Sequence, residues 1–243
     1  MLRLDFASVP ALQSDRQPAL SERIQERFPS RRTISSFQLT FSPGADSQSG
    51  AMPQPVTTGW IWQHGTTDTF SKIVALSHNF LSLEYGAEQY SDSRDFLDNF
   101  VFVHRVFCDL YRVDPVNRIG LRFINQIKLD QGSALDWTGI IRPDLVAGVL
   151  GGLPPDMRLT RSMHQLLAVQ DDVNLVLNYG LFNTEYPNPI ARRNFVLDLD
   201  FSISGEIRSG DLLARIADLN QRGENLFESI IENGLREIMV RIE

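Results

Sequence analysis

The sequence predicts an α+β protein, a mainly antiparallel sheet with helices packed on one face, and three observations carry that expectation. Residues 118–129 (RIGLRFINQIKL) alternate with period two. Ile119, Leu121, Phe123, Ile127 and Leu129 fall on one strand face, and Arg118, Gly120, Arg122, Ile124, Gln126 and Lys128 on the other. Residues 195–203 (FVLDLDFSI) do the same, with Phe195, Leu197, Leu199, Phe201 and Ile203 opposed to Asp198 and Asp200. Between them and after them, apolar residues recur at intervals of three and four, the period of amphipathic helices. The order strand, helix, strands, helix, strand, helical insertion, strands, helix fits one α+β domain over residues 1–243, and it is compatible with two ferredoxin-like halves.

Taken in order, Leu2 to Phe6 alternates and reads as a short strand. Pro18 to Phe28 reads as a helix, with Leu20, Ile24 and Phe28 on one side and Pro29 as its stop. Ile34 to Phe41 alternates again. Residues 42–55 are rich in Ser, Gly, Pro and Gln, lack periodicity, and are expected to be a flexible loop between two strands. Gly59 to His64, Lys72 to Leu76 and Phe80 to Tyr85 have the branched and aromatic residues of an antiparallel meander. From Ser93 to Arg112 a helix is expected, because Phe96, Phe100, Val103, Phe107, Leu110 and Tyr111 share one stripe and Asp92 and Asp95 favour its N-terminus. Asp114 and Pro115 stop it. Residues 130–170, punctuated by glycines and prolines, read as an irregular or helical insertion. Asp172 to Tyr179 and Phe195 to Ile203 are strands, and the chain ends in helix, with Gly223 expected to interrupt or kink it.

The chain is long enough to bury a large core. Its hydrophobic share of 42% and charged share of 22% are those of an ordinary folded protein. The single cysteine, Cys108, cannot form an internal disulfide, no secretory leader is recognisable, and no apolar run reaches the ~20 residues of a membrane span. A cytoplasmic location without a membrane span is therefore expected. A net charge of −7 argues against extended nucleic-acid binding, which needs clustered cations. Of the 23 basic residues all but Lys72 and Lys128 are arginine, the side chain suited to gripping carboxylates and phosphates in pairs, although composition bias explains the same count.

The start, the meander, the segment YRVDPVNRIGLRFINQIKL, the late LDLDF strand and the terminal LFESIIENGLREIM together resemble a sporadically distributed bacterial TIGR-type family of uncharacterised proteins. The likeness runs over nearly the whole chain, and RIGLRFIN is its most specific part. It departs at the start, MLRLDFASVP, where the family has a proline-led strand. The resemblance implies the same α+β arrangement and carries no assigned activity; the family's patchy distribution implies mobile or antiviral-defence gene neighbourhoods.

Two sets of residues are candidates for chemistry. Asp198 and Asp200 share a strand face about 6.5–7 Å apart, a spacing at which two carboxylates can hold Mg²⁺ or Mn²⁺. Arg118, Arg122 and Lys128, with Asn125 on the otherwise apolar face, could line an anion or nucleotide pocket, although Arg118 and Arg122 would stand about 13 Å apart on an ideal strand. The simpler reading of both sets is cross-strand pairing, Asp198 and Asp200 with Arg118 and Arg122. His104 and Cys108 lie one helical turn apart, where base and nucleophile could meet, but within a strongly apolar helix that favours buried packing. Trp60, Trp62, Phe80, Tyr85 and Tyr90 could stack bases, yet few cations lie near them, which favours core or protein-interface use. No glycine-rich phosphate loop, zinc-ligand spacing or nucleophile elbow is present.

These readings lead to a nonenzymatic recognition or accessory protein with no cofactor, acting through a protein partner in a bacterial defence or regulatory system. The alternative is a nucleotide- or phosphate-binding protein, or a metal-dependent phosphoryl-transfer enzyme, in which Arg118 and Arg122 bind the anion and Asp198 and Asp200 hold Mg²⁺ or Mn²⁺.

Overall fold

The alternation that begins at Leu2 is realised at once: Leu2–Asp5 is strand β1, with Leu2 and Leu4 buried and Arg3 and Asp5 turned outward. The computed structural model describes residues 1–13, 18–38, 54–65, 71–90, 92–150, 152, 154 and 156–239. Among these residues nine strands and five α-helices make an antiparallel α+β fold. The chain divides into two compact units. The first comprises Met1–Ile119 and Gly205–Gly210, the second Gly120–Ser204 and Asp211–Glu243.

In the first unit a short 3₁₀ turn, Pro10–Gln13, and helix α1, Pro18–Ile24, lead into β2, Ser30–Gln38. Strands β3 (Gln54–Gly65), β4 (Ser71–Ser77) and β5 (Phe80–Tyr85) form the expected meander. Helix α2, Ser93–Tyr111, then leads to β6, Val116–Leu129. The strand order is β2-β3-β4-β5-β1-β6. Register aligns apolar residues on one face: Trp62 stands opposite Val74, Val74 opposite Leu83, and Leu2 opposite Leu83. Helix α2 begins where Asp92 accepts a hydrogen bond from the amide of Arg94, and ends at Arg112, which takes a left-handed φ of 52°. Its apolar stripe, Phe96, Phe100, Val103 and Phe107, is buried, and Phe107 meets Phe6 at a ring separation of 5.2 Å. Trp62 donates from Nε1 to Ser21 Oγ of α1 at 2.9 Å, and Trp60 and Trp62, expected in the core or at a protein interface, are both in the core, each 1% exposed. The loop expected at 42–55 lies outside the described residues up to 53, and Gln54 and Pro55 open β3.

In the second unit β6 continues, followed by α3 (Pro143–Leu150), β7 (Ser162–Gln170), β8 (Val173–Leu181), β9 (Arg193–Ile207), α4 (Ser209–Ile230) and α5 (Asn233–Ile238). The order is β6-β9-β8-β7. Leu177 pairs with Leu199 and Tyr179 with Leu197, all buried, and α3 packs on that same face where Gly148 approaches the Tyr179 hydroxyl.

Two expectations need correction in the second unit. Residues 162–170, read as part of an irregular or helical insertion, are strand β7; it lies at an edge and Gln165–Gln170 are exposed on both faces, so no amphipathic alternation marks it. Gly223 does not interrupt the terminal helix. Helix α4 runs through it, because the missing side chain admits the ring of Phe123, which would stand 2.8 Å from a Cβ placed there. The break comes at Ile231 and Glu232 instead.

The two units are interleaved along the chain. Strand β6 passes from the first to the second between Ile119 and Gly120, and β9 returns at Gly205.

Candidate functional site

The face of the second unit's sheet that carries the predicted charges holds a continuous polar ladder. Strand alternation turns Arg122, Asn178 and Asp198 to this side, because Leu121, Leu177, Tyr179, Leu197 and Leu199 beside them fill the core, and pairing with β8 places Gln165 there too. Pairing register then sets Asn178 opposite Asp198 and Gln165 opposite Asn178. Arg122 grips Asp198 with both arms of its fork, Nε to Oδ1 at 2.7 Å and an NH2 to Oδ2 at 2.8 Å. Asn178 adds a bond from Nδ2 to the same Oδ2 at 3.1 Å and accepts one from Gln165 Nε2 at 2.8 Å. The Asp198 carboxylate is only 9% exposed, so this pairing is what makes its burial tolerable. Asp200 lies one alternation further along β9, opposite Val176, and has interactions of its own.

The remaining candidates do not join this ladder. Arg118 belongs to the first unit, where its NH1 donates to Asp5 Oδ2 at 3.2 Å while Arg3 holds the other Asp5 oxygen at 2.6 Å. Lys128 is exposed and Asn125 half-buried on β6. A divalent cation at Asp198 would compete with a guanidinium already bonded to both oxygens, an arrangement that opposes a second positive charge. Among the described residues no three His, Cys, Asp or Glu side chains form a group able to hold a metal ion. The donor set therefore does not fit Mg²⁺ or Mn²⁺.

A second network, in the first unit, is one that sequence reasoning missed. Asp95, in the first turn of α2, receives Lys72 Nζ at 2.8 Å and the Tyr85 hydroxyl at 3.0 Å on Oδ2. Asn99, one turn on, donates Nδ2 to the Tyr85 oxygen at 2.8 Å and to Asp95 Oδ1 at 3.1 Å, and its own Oδ1 accepts from Arg27 at 3.1 Å. Burial, then the hydrogen bond to Asp95, pushes the Tyr85 phenol well above its ordinary range, so it stays protonated as a donor. Burial pushes the Asp95 carboxyl up, but hydrogen bonds from Lys72 and Tyr85 outweigh it and hold the group below its usual value. The only advance signal was Asp95 and Asn99 at i, i+4. The network ties β4 and β5 to the start of α2.

His104 and Cys108 do meet, Nε2 to Sγ at 3.3 Å, and the Cys108 thiol also reaches the Val113 carbonyl at 3.6 Å. Their electrostatics oppose nucleophilic chemistry. Burial, reinforced by Asp114 and Asp109 against a hydrogen bond with Ser209, pushes the thiol up. Burial also lowers the imidazole, with Asp114 opposing. Both shifts favour the neutral pair, whereas a catalytic pair needs thiolate and imidazolium. This is packing, as the apolar helix implied.

Among the described residues no helix is long and apolar enough to cross a membrane. No family model, no curated protein and no solved structure matches this chain.

Proposed function

We propose that this protein is a nonenzymatic recognition or accessory protein that contacts another protein through the ladder-bearing face of its second unit, in a bacterial defence or regulatory system. The observation that carries the reading is the makeup of that face. Ile124, Leu167 and Val169 stand 61%, 74% and 70% exposed around an Arg122–Asp198 pair whose charges already satisfy each other. Exposed branched side chains supply apolar area, and a pre-paired charge set can be covered without leaving an orphaned ion. The alternative, phosphate binding or phosphoryl transfer by Arg118, Arg122, Asp198 and Asp200, requires Arg122 to abandon a buried carboxylate.

Affinity purification from native cells tests the reading when wild type is compared with Ile124→Glu, which puts a charge in place of an exposed apolar side chain on this face and removes no member of the ladder. A stoichiometric protein partner recovered by wild type and lost from the variant supports it. Equal recovery by both, or no partner, argues against it. A rise in melting temperature with a nucleoside triphosphate and Mg²⁺, abolished by Arg122→Ala, would establish the phosphate alternative instead.

A further inference from the structure

Strand β7 is an edge strand without the devices that normally keep an edge solitary. Ser162–Gln170 (SMHQLLAVQ) contains no Asp, Glu, Lys, Arg or Pro, in a chain of net charge −7. Six successive residues, Gln165–Gln170, are exposed, including Leu166 at 47% besides Leu167 and Val169. The edge strand β2 of the first unit differs: it carries exposed Arg31 and Arg32, charges of the kind that discourage strand addition.

We propose that β7 is a dimerisation edge, pairing antiparallel with β7 of a second copy of this chain about a twofold axis at Leu166. Two features argue for a second copy as the occupant. The first is self-complementarity. Centred on Leu166, Met163 faces Val169 of the other copy, Gln165 faces Leu167, His164 faces Ala168, and Ser162 faces Gln170, so apolar residues meet on both faces and no like charges are opposed. The second is charge complementarity at the ends. The same register brings exposed Arg161 of each copy near Asp171 of the other, in the β7–β8 turn, where the Asp171 side chain is 75% exposed and its Oδ2 lies 3.6 Å from Arg222 of its own copy, leaving room for a second cation. Two such ion pairs would close the interface, one at each end. Pairing also satisfies the outward N–H and C=O groups of a strand about 30 Å long. One strand pair buries less than the roughly 1,200–2,000 Å² of a standard interface, so the dimer is weak and depends on concentration. The two readings share Leu167 and Val169 on β7, and Ile124→Glu on β6 tells them apart: it should leave the dimer intact while abolishing partner recovery.

Sedimentation velocity over about 1 to about 500 μM should show monomer converting to dimer. Leu167→Lys, a charge on the edge, should shift the dissociation constant upward by at least about tenfold with an unchanged circular dichroism spectrum and melting temperature. Arg161→Glu, which sets a carboxylate opposite Asp171, should weaken it several-fold. An orthogonal measurement covers the chance that these variants misfold. In a Cys108→Ala background, Leu166→Cys should form an intermolecular disulfide under mild oxidation, because directly opposed residues stand about 4.5–5.5 Å apart between Cα atoms. Val169→Cys, opposite Met163, should not. A chain that stays monomeric throughout, a dimer indifferent to Leu167→Lys, or equal cross-linking through positions 166 and 169 would each overturn the proposal.

Discussion

Removing Arg122 should cost more stability than removing the aspartate it holds, although either change breaks the same two-armed ion pair. The Asp198 side chain is 9% exposed and that of Arg122 38%. Arg122→Ala therefore leaves a nearly buried carboxylate with the Asn178 amide but without its guanidinium. Orphaning a fully buried charge costs about 3–5 kcal/mol. Water can enter along the path the arginine vacates, because more than a third of that side chain is already solvated, so the cost here falls to about 2 kcal/mol. Asp198→Ala leaves instead an arginine that keeps its other interactions and is already 38% solvated, and the loss should be about 1 kcal/mol. The double variant no longer contains the buried charge and should be more stable than Arg122→Ala alone. Urea denaturation of the four proteins at neutral pH, with slopes checked for equality, gives these differences directly. If Arg122→Ala proves the milder single change, or the double variant the least stable of all, the buried-charge argument for this pair is wrong.

Two further outcomes rest on other parts of the fold. Asp95 titrates lower in the folded chain than in the unfolded one, so the folded state binds fewer protons there; the stability it contributes is full above its unfolded pKa and lost as pH falls through the folded value. Melting temperature should thus fall less between about pH 5 and about pH 2 in Asp95→Asn than in wild type, and parallel curves would exclude the linkage. Gly180 has a φ of 147°, and a Cβ there would stand 2.1 Å from the Ser162 carbonyl oxygen. Gly180→Ala should cost more than about 2 kcal/mol and accelerate hydrogen exchange in β7 and β8, whereas wild-type exchange would mean that the hairpin accommodates the methyl.

How much could be read from the chain depended on how each element is buried. Strands β6 and β9 were legible because each has one core face and one polar face, which fixes side-chain direction; the meeting of Arg122 with Asp198 follows from that parity once the strands are neighbours. Strand β7 was not, because an edge with both faces exposed places no demand on alternation, and Leu166 and Leu167 in succession mask what remains. The path of α4 through Gly223 depended on Phe123, about a hundred positions earlier, which no local pattern reveals. The Lys72–Tyr85–Asp95 network was hidden for a related reason. Its members lie on β4, β5 and α2, and they converge only through strand register and the entry of α2, whereas His104 and Cys108 needed nothing beyond one turn of helix.

The interleaved path of the chain has a consequence for how the molecule can be made and taken apart. Residues Gly205–Gly210, which belong to the first unit, follow all of Gly120–Ser204 in the order of synthesis. A nascent chain released through Ile119 therefore still lacks the closing segment of that unit, and by the time Gly210 leaves the ribosome most of the second unit has emerged as well. The same path defeats gene truncation. A stop codon after Ile119 severs β6 within its length, and excision of Gly120–Ser204 severs both β6 and β9. Each cut leaves a frayed strand where the intact polypeptide runs on, so genetic dissection of this protein calls for point substitutions on its surfaces.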